Sequence, residues 1–383
     1  MRKYLPFFVI VLCAFSVQAQ DYSKARQRTE KLFHGVFGNK EVHNAFLSVY
    51  SPSKNIDWSF AGGAFKNGEE VSLQNPFYSA SIGKTFTATA IAILHEQGKL
   101  NFSDKICAYL PDSIINGLHV FNGKDYSRVI TITQLLQHTS GIPDYIDGVT
   151  MDGTPNGMAL LLSDTAKFWH PMEMVNLAKT KMKADFAPGT AYNYCNTDYV
   201  LLGLIVEKVS AMPVHDFYRK YIFEPINMNH TSMYLRSMPG KPTGRMAEIY
   251  VGNTEVSKYT SLSIGWTGGG LITTASDLIN FQKALQTHEI LQAGTVQQMS
   301  DWVSESTGLY YGYGLRKVVY KERVPQFSDL QFVGHTGSTS SFMFYCPEMD
   351  VYLSGTLNQV TESKKTFEIP AKVLSYIENE SDY

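Results

Sequence analysis

Cysteine is scarce in this 383-residue chain: four in all, with Cys13 in the N-terminal leader and Cys107, Cys195 and Cys346 beyond it. Three thiols cannot all pair within one molecule, so they read as free thiols that pack as small hydrophobes. No Cys-x-x-Cys, His-Glu-x-x-His or His-x-His occurs, so neither a metal centre nor a cofactor is expected. Charge is thin as well. Charged residues make up 18% of the chain, and 33 basic against 35 acidic residues give a formal −2, which excludes the basic footprint of a nucleic-acid binder. Low-complexity linkers and repeats are missing, and no apolar run after the first 17 residues is long enough to span a bilayer. What is present, 44% hydrophobic and 13% aromatic residues, is enough for an ordinary globular chain with a large core.

The leader is set aside before any fold argument. Arg2 and Lys3 precede an apolar run from Leu5 to Val17, and Val17-Gln18-Ala19 permits cleavage after Ala19. Residues 1–19 therefore read as a secretory signal peptide, placing the mature chain in the periplasm or outside the cell without a stable membrane anchor. Leu12 stands before Cys13 where a lipid-attachment signal needs a small residue, so Cys13 is not read as lipidated. Loss of Arg2 and Lys3 leaves the mature chain at −4.

Tyr22 to Phe37 alternates charged and apolar residues at helical spacing. Ala45 to Tyr50 and Trp58 to Phe65 are strand-like runs around the turn-rich "SPSKNID", which predicts an antiparallel hairpin, with Gly62 and Gly63 marking a bulge. From Ser81 the pattern becomes a long helix through His95, ended by Gly98 at a left-handed cap. Ile82, Phe86, Ala90, Ile91, Ile93 and Leu94 leave that helix no polar face, so it is expected in the middle of the molecule.

A serine and a lysine at the start of a buried helix need a reason to be there. Gly83-Lys84-Thr85 ends like a phosphate loop, but that loop needs a glycine where this chain has Tyr78, so the nucleotide-binding reading rests on a tripeptide. Ser81 and Lys84 instead sit three apart, on one helical face, where the amine can approach the hydroxyl. Ser51-Pro52-Ser53-Lys54 has the same spacing in a polar turn with a proline inside it, where no helical face aligns the pair. A serine hydroxyl needs a neighbouring base to attack a carbonyl, and Lys84 is a base only if burial brings its pKa down from about 10.4.

Two further motifs accompany the first: Tyr194-Cys195-Asn196 just before an apolar helix, and His335-Thr336-Gly337 at the end of a strand. With "LLQHTSGIPDY" from Leu135 and "GWTGGGLITTASDLINF" from Gly265, the ordered set resembles the serine β-lactamase and penicillin-binding protein superfamily, over nearly the whole mature chain. The branch it is most similar to holds class C β-lactamases, DD-carboxypeptidases and esterases.

The resemblance implies an α/β (α+β) fold. An antiparallel sheet flanked by helices would come from residues 20–80 and 261–383, with an inserted, mostly helical lobe at 81–260 and a cleft between them. It implies that Ser81 is acylated, that Lys84 is its base, and that Tyr194 relays the proton to the leaving group and later activates water. Lys84 and Tyr194 would titrate as a pair, with adjacent cations pushing the phenol toward phenolate. Asn196 would bond Lys84 and the substrate amide. Thr336, Gly337 and Ser338 would bind substrate beside His335, and the backbone N–H groups of Ser81 and Ser338 would form the oxyanion hole. His335 stands where many β-lactamases have lysine. A partly protonated imidazole there would let anion binding weaken as pH rises, and it favours a DD-peptidase or esterase over an efficient β-lactamase.

Several residues carry two readings. Cys195 is a reactive thiol or, preferred because no basic residue adjoins it, a small buried filler. His138 lines the cleft rather than serving a Ser-His-Asp triad, since no Gly-x-Ser-x-Gly elbow occurs. Gly268-Gly269-Gly270 binds an anion at a helix start or, preferred, lets backbone pack closely behind the site. The function expected is a secreted serine hydrolase acting on D-amino-acid peptides, esters or β-lactams. The alternative is a penicillin-binding or sensor-like protein acylated without efficient turnover. The expected partner is a small-molecule or peptide substrate, and oligomeric state is left open.

Overall fold

The computed structural model describes residues 20–323 and 329–381; the signal-peptide reading and Cys13 lie outside the described residues. The framework comprises strands β1 (Asn44–Ser51), β2 (Ile56–Gly63), β3 (Val303–Ser306), β4 (Leu309–Tyr311), β5 (Arg316–Val319), β6 (Gln331–Gly337), β7 (Ser341–Cys346) and β8 (Val351–Thr356). The helices that matter for the site are α1 (Ser23–Gly35), α2 (Gly83–Glu96), α3 (Asn196–Ser210), α4 (Ala275–Gln286) and α5 (Lys365–Ser381). All eight strands join one sheet in the order β3-β4-β5-β6-β7-β8-β1-β2, each neighbouring pair antiparallel. The expected mixed α/β fold, an antiparallel sheet flanked by helices, is therefore the observed one.

Both faces of the sheet are covered, which is why its central strands are apolar almost throughout. In β1, Ala45, Leu47 and Val49 point to one side, where they join Phe342, Phe344 and Cys346 of β7 and Val373, Leu374 and Ile377 of α5. The intervening Phe46, with Met343 of β7, points to the other side and joins the core around α2, α3 and α4. Period-two alternation thus feeds two cores instead of one core and solvent.

The expected bulge at Gly62 and Gly63 is absent. Pairing between β1 and β2 runs unbroken from Asn44 opposite Gly63 to Ser51 opposite Ile56. The glycines answer two local demands instead. A side chain at Gly62 would meet the Phe33 and Phe37 rings at 3.0–3.2 Å, and Gly63 has φ +86 beside the His43 carbonyl.

Helix α2 is buried at every position from Gly83 to Leu94, as its composition requires. Besides Lys84, its buried polar residues are threonines with internal partners: Thr85 Oγ1 donates to the Gly314 carbonyl at 2.7 Å and Thr89 Oγ1 to the Thr85 carbonyl at 2.8 Å. The helix stops where Gly98 takes φ +67. There Lys99 N–H bonds the Leu94 carbonyl and Gly98 N–H the His95 carbonyl, the paired closure of a glycine-terminated helix. Packing of α2 against α3 and against the Trp266–Gly270 segment places its N-terminus at the end of the sheet where β6 turns into β7.

Candidate active site

Ser81 lies in a single 3-10 turn, Ala80–Ile82, that feeds straight into α2. Ala80 before it has φ +48, a left-handed conformation that costs an L-residue roughly 1–2 kcal/mol and is held only by its surroundings. Those surroundings are close backbone. A side chain at Gly269 would lie 2.8 Å from the Ala80 carbonyl carbon, and one at Gly83 would lie 3.0 Å from Gly269 Cα. Close packing is therefore what Gly269 provides, and the neighbouring Gly268 supplies a carbonyl to the site.

The turn between β6 and β7 is fastened to this segment. Ser341 Oγ donates to the Ser79 carbonyl at 2.7 Å and Thr339 Oγ1 to the Tyr78 carbonyl at 3.0 Å. Gly337 faces Ser79 O and Ala80 Cβ so closely that no side chain fits. Ser338 is exposed at the tip of the turn, and Ser81 is partly exposed. Ser81 also sits at the start of a helical turn, where backbone N–H groups have no partner within the turn.

Lys84 is fully buried, and its Nζ donates to Asn196 Oδ1 at 2.7 Å and to the Gly268 carbonyl at 2.8 Å. Ser81 Oγ is 3.4 Å away on the third side. A neutral amine has two N–H bonds and one lone pair, so with both bonds engaged the lone pair faces the serine. Burial lowers the Lys84 pKa to about 7, helped by Arg316 and opposed by Asp144, Cys195 and Asp198.

Tyr194 departs from expectation. Its ring lies 4.8 Å from Lys84 Nζ, but burial raises the phenol pKa, and the pull of Arg316 and Ser81 in the other direction is the smaller effect. The resting group is a neutral phenol, not a phenolate, because desolvation penalises the anion more than one cation rewards it.

His335 is a second correction. The ring is fully buried: Nδ1–H donates to the Thr336 carbonyl at 2.7 Å and Nε2 accepts from Tyr311 O–H at 2.9 Å. Burial, with Arg316 and Lys84, lowers its pKa well below the usual histidine range. It is neutral at neutral pH and supplies no titrating charge for anions.

The charged group beside Thr336 is Arg316. Its Nη1 donates to Thr336 Oγ1 at 2.7 Å, while Nε and Nη2 each donate to Glu305 at 2.7 Å. Its mark in the sequence is slight, one arginine after the small and aromatic run Tyr311-Gly312-Tyr313-Gly314-Leu315. Asp144, within "LLQHTSGIPDY", is a second group that local pattern does not mark. It accepts from Asn196 Nδ2 at 2.8 Å and from Ile146 N–H at 3.0 Å, and burial raises its pKa to about 6. Asn196 therefore bridges Asp144 and Lys84.

His138 is buried, with φ +57. Its Nδ1 accepts the Cys195 N–H at 3.1 Å and lies 3.3 Å from Asp198, and its ring is 4.4 Å from that of Tyr194. It braces the tyrosine from behind. Cys195 is 1% exposed, donates its thiol to the Ile142 carbonyl at 3.2 Å, and has its pKa raised by burial, as a packing residue would. Cys346 is buried and Cys107 partly so, and all three thiols are free.

The family model described as Beta-lactamase matches residues 31–376. Penicillin-binding protein 4* of Bacillus subtilis (strain 168) is 27% identical over 304 residues, 76% of this chain and 62% of that protein. This chain thus spans less than two thirds of that relative. The D-stereospecific amidohydrolase from Streptomyces sp. superposes with a TM-score of 0.71 at 25% identity, covering 91% of this chain and 98% of that one. The D-amino acid amidase from Ochrobactrum anthropi SV3 gives a TM-score of 0.77 at 22% identity, covering 94% and 100%, a likeness of fold.

Proposed function

The chain belongs to the Beta-lactamase family, a family of serine hydrolases, and from that premise we propose that it forms an acyl-enzyme at Ser81 with Lys84 as the base. One observation carries the reading: a buried amine with both N–H bonds committed to Asn196 and Gly268 and a serine hydroxyl on its open side.

The Ser81 proton passes to Lys84 as Oγ attacks the carbonyl carbon. Negative charge developing on the carbonyl oxygen is met by the backbone N–H groups of Ser81 and Ser338, each such donor being worth about 2.7–4 kcal/mol of barrier. As the tetrahedral intermediate collapses, the leaving group takes the proton of the Tyr194 phenol, which recovers one from the Lys84 ammonium. A neutral phenol suits this step, since it has a proton to give. Water then attacks the ester by the reverse route, with Tyr194 and Lys84 as its base.

The substrates are D-amino-acid peptides or amides, small esters or β-lactams, with DD-peptidase or esterase action favoured over efficient β-lactamase action. We also propose export to the periplasm or beyond after cleavage behind Ala19. A sensor-like protein that is acylated without efficient turnover is the second reading. It is favoured by Asp144, the carboxylate linked to Lys84 through Asn196, both of whose oxygens are already engaged by Asn196 and Ile146.

Peptide mass mapping after incubation with a fluorophosphonate or a labelled penicillin tests the proposal. The expected label is on the Ser81 peptide, with Gln20 as the first residue of exported protein. Ser81→Ala should abolish labelling and Lys84→Ala should slow it on the order of 10²–10⁴-fold. Unchanged labelling of Ser81→Ala sinks the reading. A label that persists for hours selects the sensor, and one that decays with product release selects the enzyme.

A further inference from the structure

The charge at the Thr336 end of the cleft is already answered by the protein itself. Glu305 and Arg316 meet through two parallel hydrogen bonds of 2.7 Å, Nε to Oε2 and Nη2 to Oε1, and their side chains are only 17% and 11% exposed. That edge of a guanidinium is the fork that binds a carboxylate with two bonds. The remaining nitrogen, Nη1, holds Thr336 Oγ1, so the arginine is anchored to β6 beside Gly337 and Ser338.

Glu305 reaches this place through a break in the sheet. In the β3–β4 pairing Ser304 lies opposite Tyr310 and Ser306 opposite Leu309, which leaves Glu305 as one extra residue. A bulge re-aims the side chain it carries and is over-represented beside active sites. Here it occurs on the terminal strand of the sheet and delivers a carboxylate inward to the fork.

Resting on the proposed acyl-enzyme reading, we propose that Glu305 is a specificity-determining residue. It occupies the carboxylate fork of Arg316 and so narrows the substrates proposed above to uncharged D-amino-acid amides and esters, setting aside DD-carboxypeptidase action on substrates with a free carboxylate along β6. A substrate carboxylate drawn toward Arg316 would have to displace Glu305 or lie beside it as a like charge, and such repulsion is a recognised route to discrimination. An amide or ester end meets no such penalty. Burial works against the Arg316 charge and Glu305 more than offsets it, which accords with a permanently paired arginine.

The test uses a matched pair, N-acetyl-D-alanyl-D-alanine and its C-terminal amide, with kcat/KM measured for wild type, Glu305→Gln and Glu305→Ala. The quantity read is the ratio of carboxylate to amide, in which the fraction of folded enzyme cancels. Wild type should favour the amide, and both variants should raise the ratio about tenfold or more. A ratio unchanged within threefold in both variants, or a wild type that favours the carboxylate, overturns the inference. Labelling of Ser81 in the same preparations separates the two levels. If Ser81 labels and the ratio stays put, only the Glu305 assignment fails; if Ser81 never labels, the acyl-enzyme reading fails and takes this inference with it.

Discussion

At the scale of single residues, the site is a contest between burial and charge. Lys84 titrates near about 7 because desolvation outweighs the nearby carboxylates, so the amine is a base above that pH and an ammonium below it. We expect kcat/KM to rise with pH through about 7 and then level off. Asp144 raises the Lys84 pKa, so Asp144→Asn should move this limb to lower pH; a limb that stays or moves up would refute the Asp144–Asn196–Lys84 linkage. Linkage also fixes the stability trend. The unfolded lysine keeps its proton to about 10.5 and the folded one loses it near about 7, so between these values the unfolded state binds more protons and the Lys84 contribution to stability rises with pH. His335 and Tyr194 show the limit of reading residue types. The partly protonated imidazole expected of a free histidine and the phenolate expected beside cations both give way to neutral groups, because enclosure penalises charge of either sign.

At the scale of elements, glycine positions separate stability from placement of Ser81. Gly98 closes α2 at φ +67 with nothing within 4 Å of where a side chain would go. Gly98→Ala should therefore cost about 1 kcal/mol in denaturant unfolding, with Ser81 acylated at an unaltered rate. Gly337 has negative φ but no room, since a side chain there would run into Ser79, Ala80 and Ser341. Gly337→Ala should cost about 1–3 kcal/mol and also slow acylation at least tenfold, because the β6–β7 turn must move off the segment that carries Ser81. Equal effects of the two substitutions on acylation would contradict this division. The helix at Ser81, its glycine stop and the hairpin of β1 and β2 were legible in sequence, because period and cap residues are local signals. The supposed bulge at Gly62 was not, since the rings that demand glycine there come from α1 and the turn after it, which pairing patterns do not reveal. The bulge that does occur, at Glu305, lies in a short strand of alternating exposure that carries no glycine mark.

At the scale of the whole molecule, one core backs each face of the sheet, and the one that α5 closes lies on the face away from α2. Leu374 of α5 is fully buried in the core away from α2. Leu374→Ala should lower stability by about 2–5 kcal/mol while the acylation rate per folded molecule, measured by active-site titration well below the unfolding transition, stays within twofold of wild type. A matching loss of rate would mean that the outer layer also holds the geometry of the cleft. The sequence by itself determined the hairpin of β1 and β2, the buried helix α2 and the family, and it singled out Ser81 and Lys84, because periodicity, caps and ordered motifs depend on residues near one another in the chain. Only tertiary structure decided that Arg316 and not His335 carries the charge, that Asp144 reaches Lys84 through Asn196, and that Glu305 fills the arginine fork. Those outcomes depend on which groups are enclosed together and how far water is kept from them, and separate elements settle that jointly, from 11 residues apart for Glu305 and Arg316 to 112 for Lys84 and Asn196.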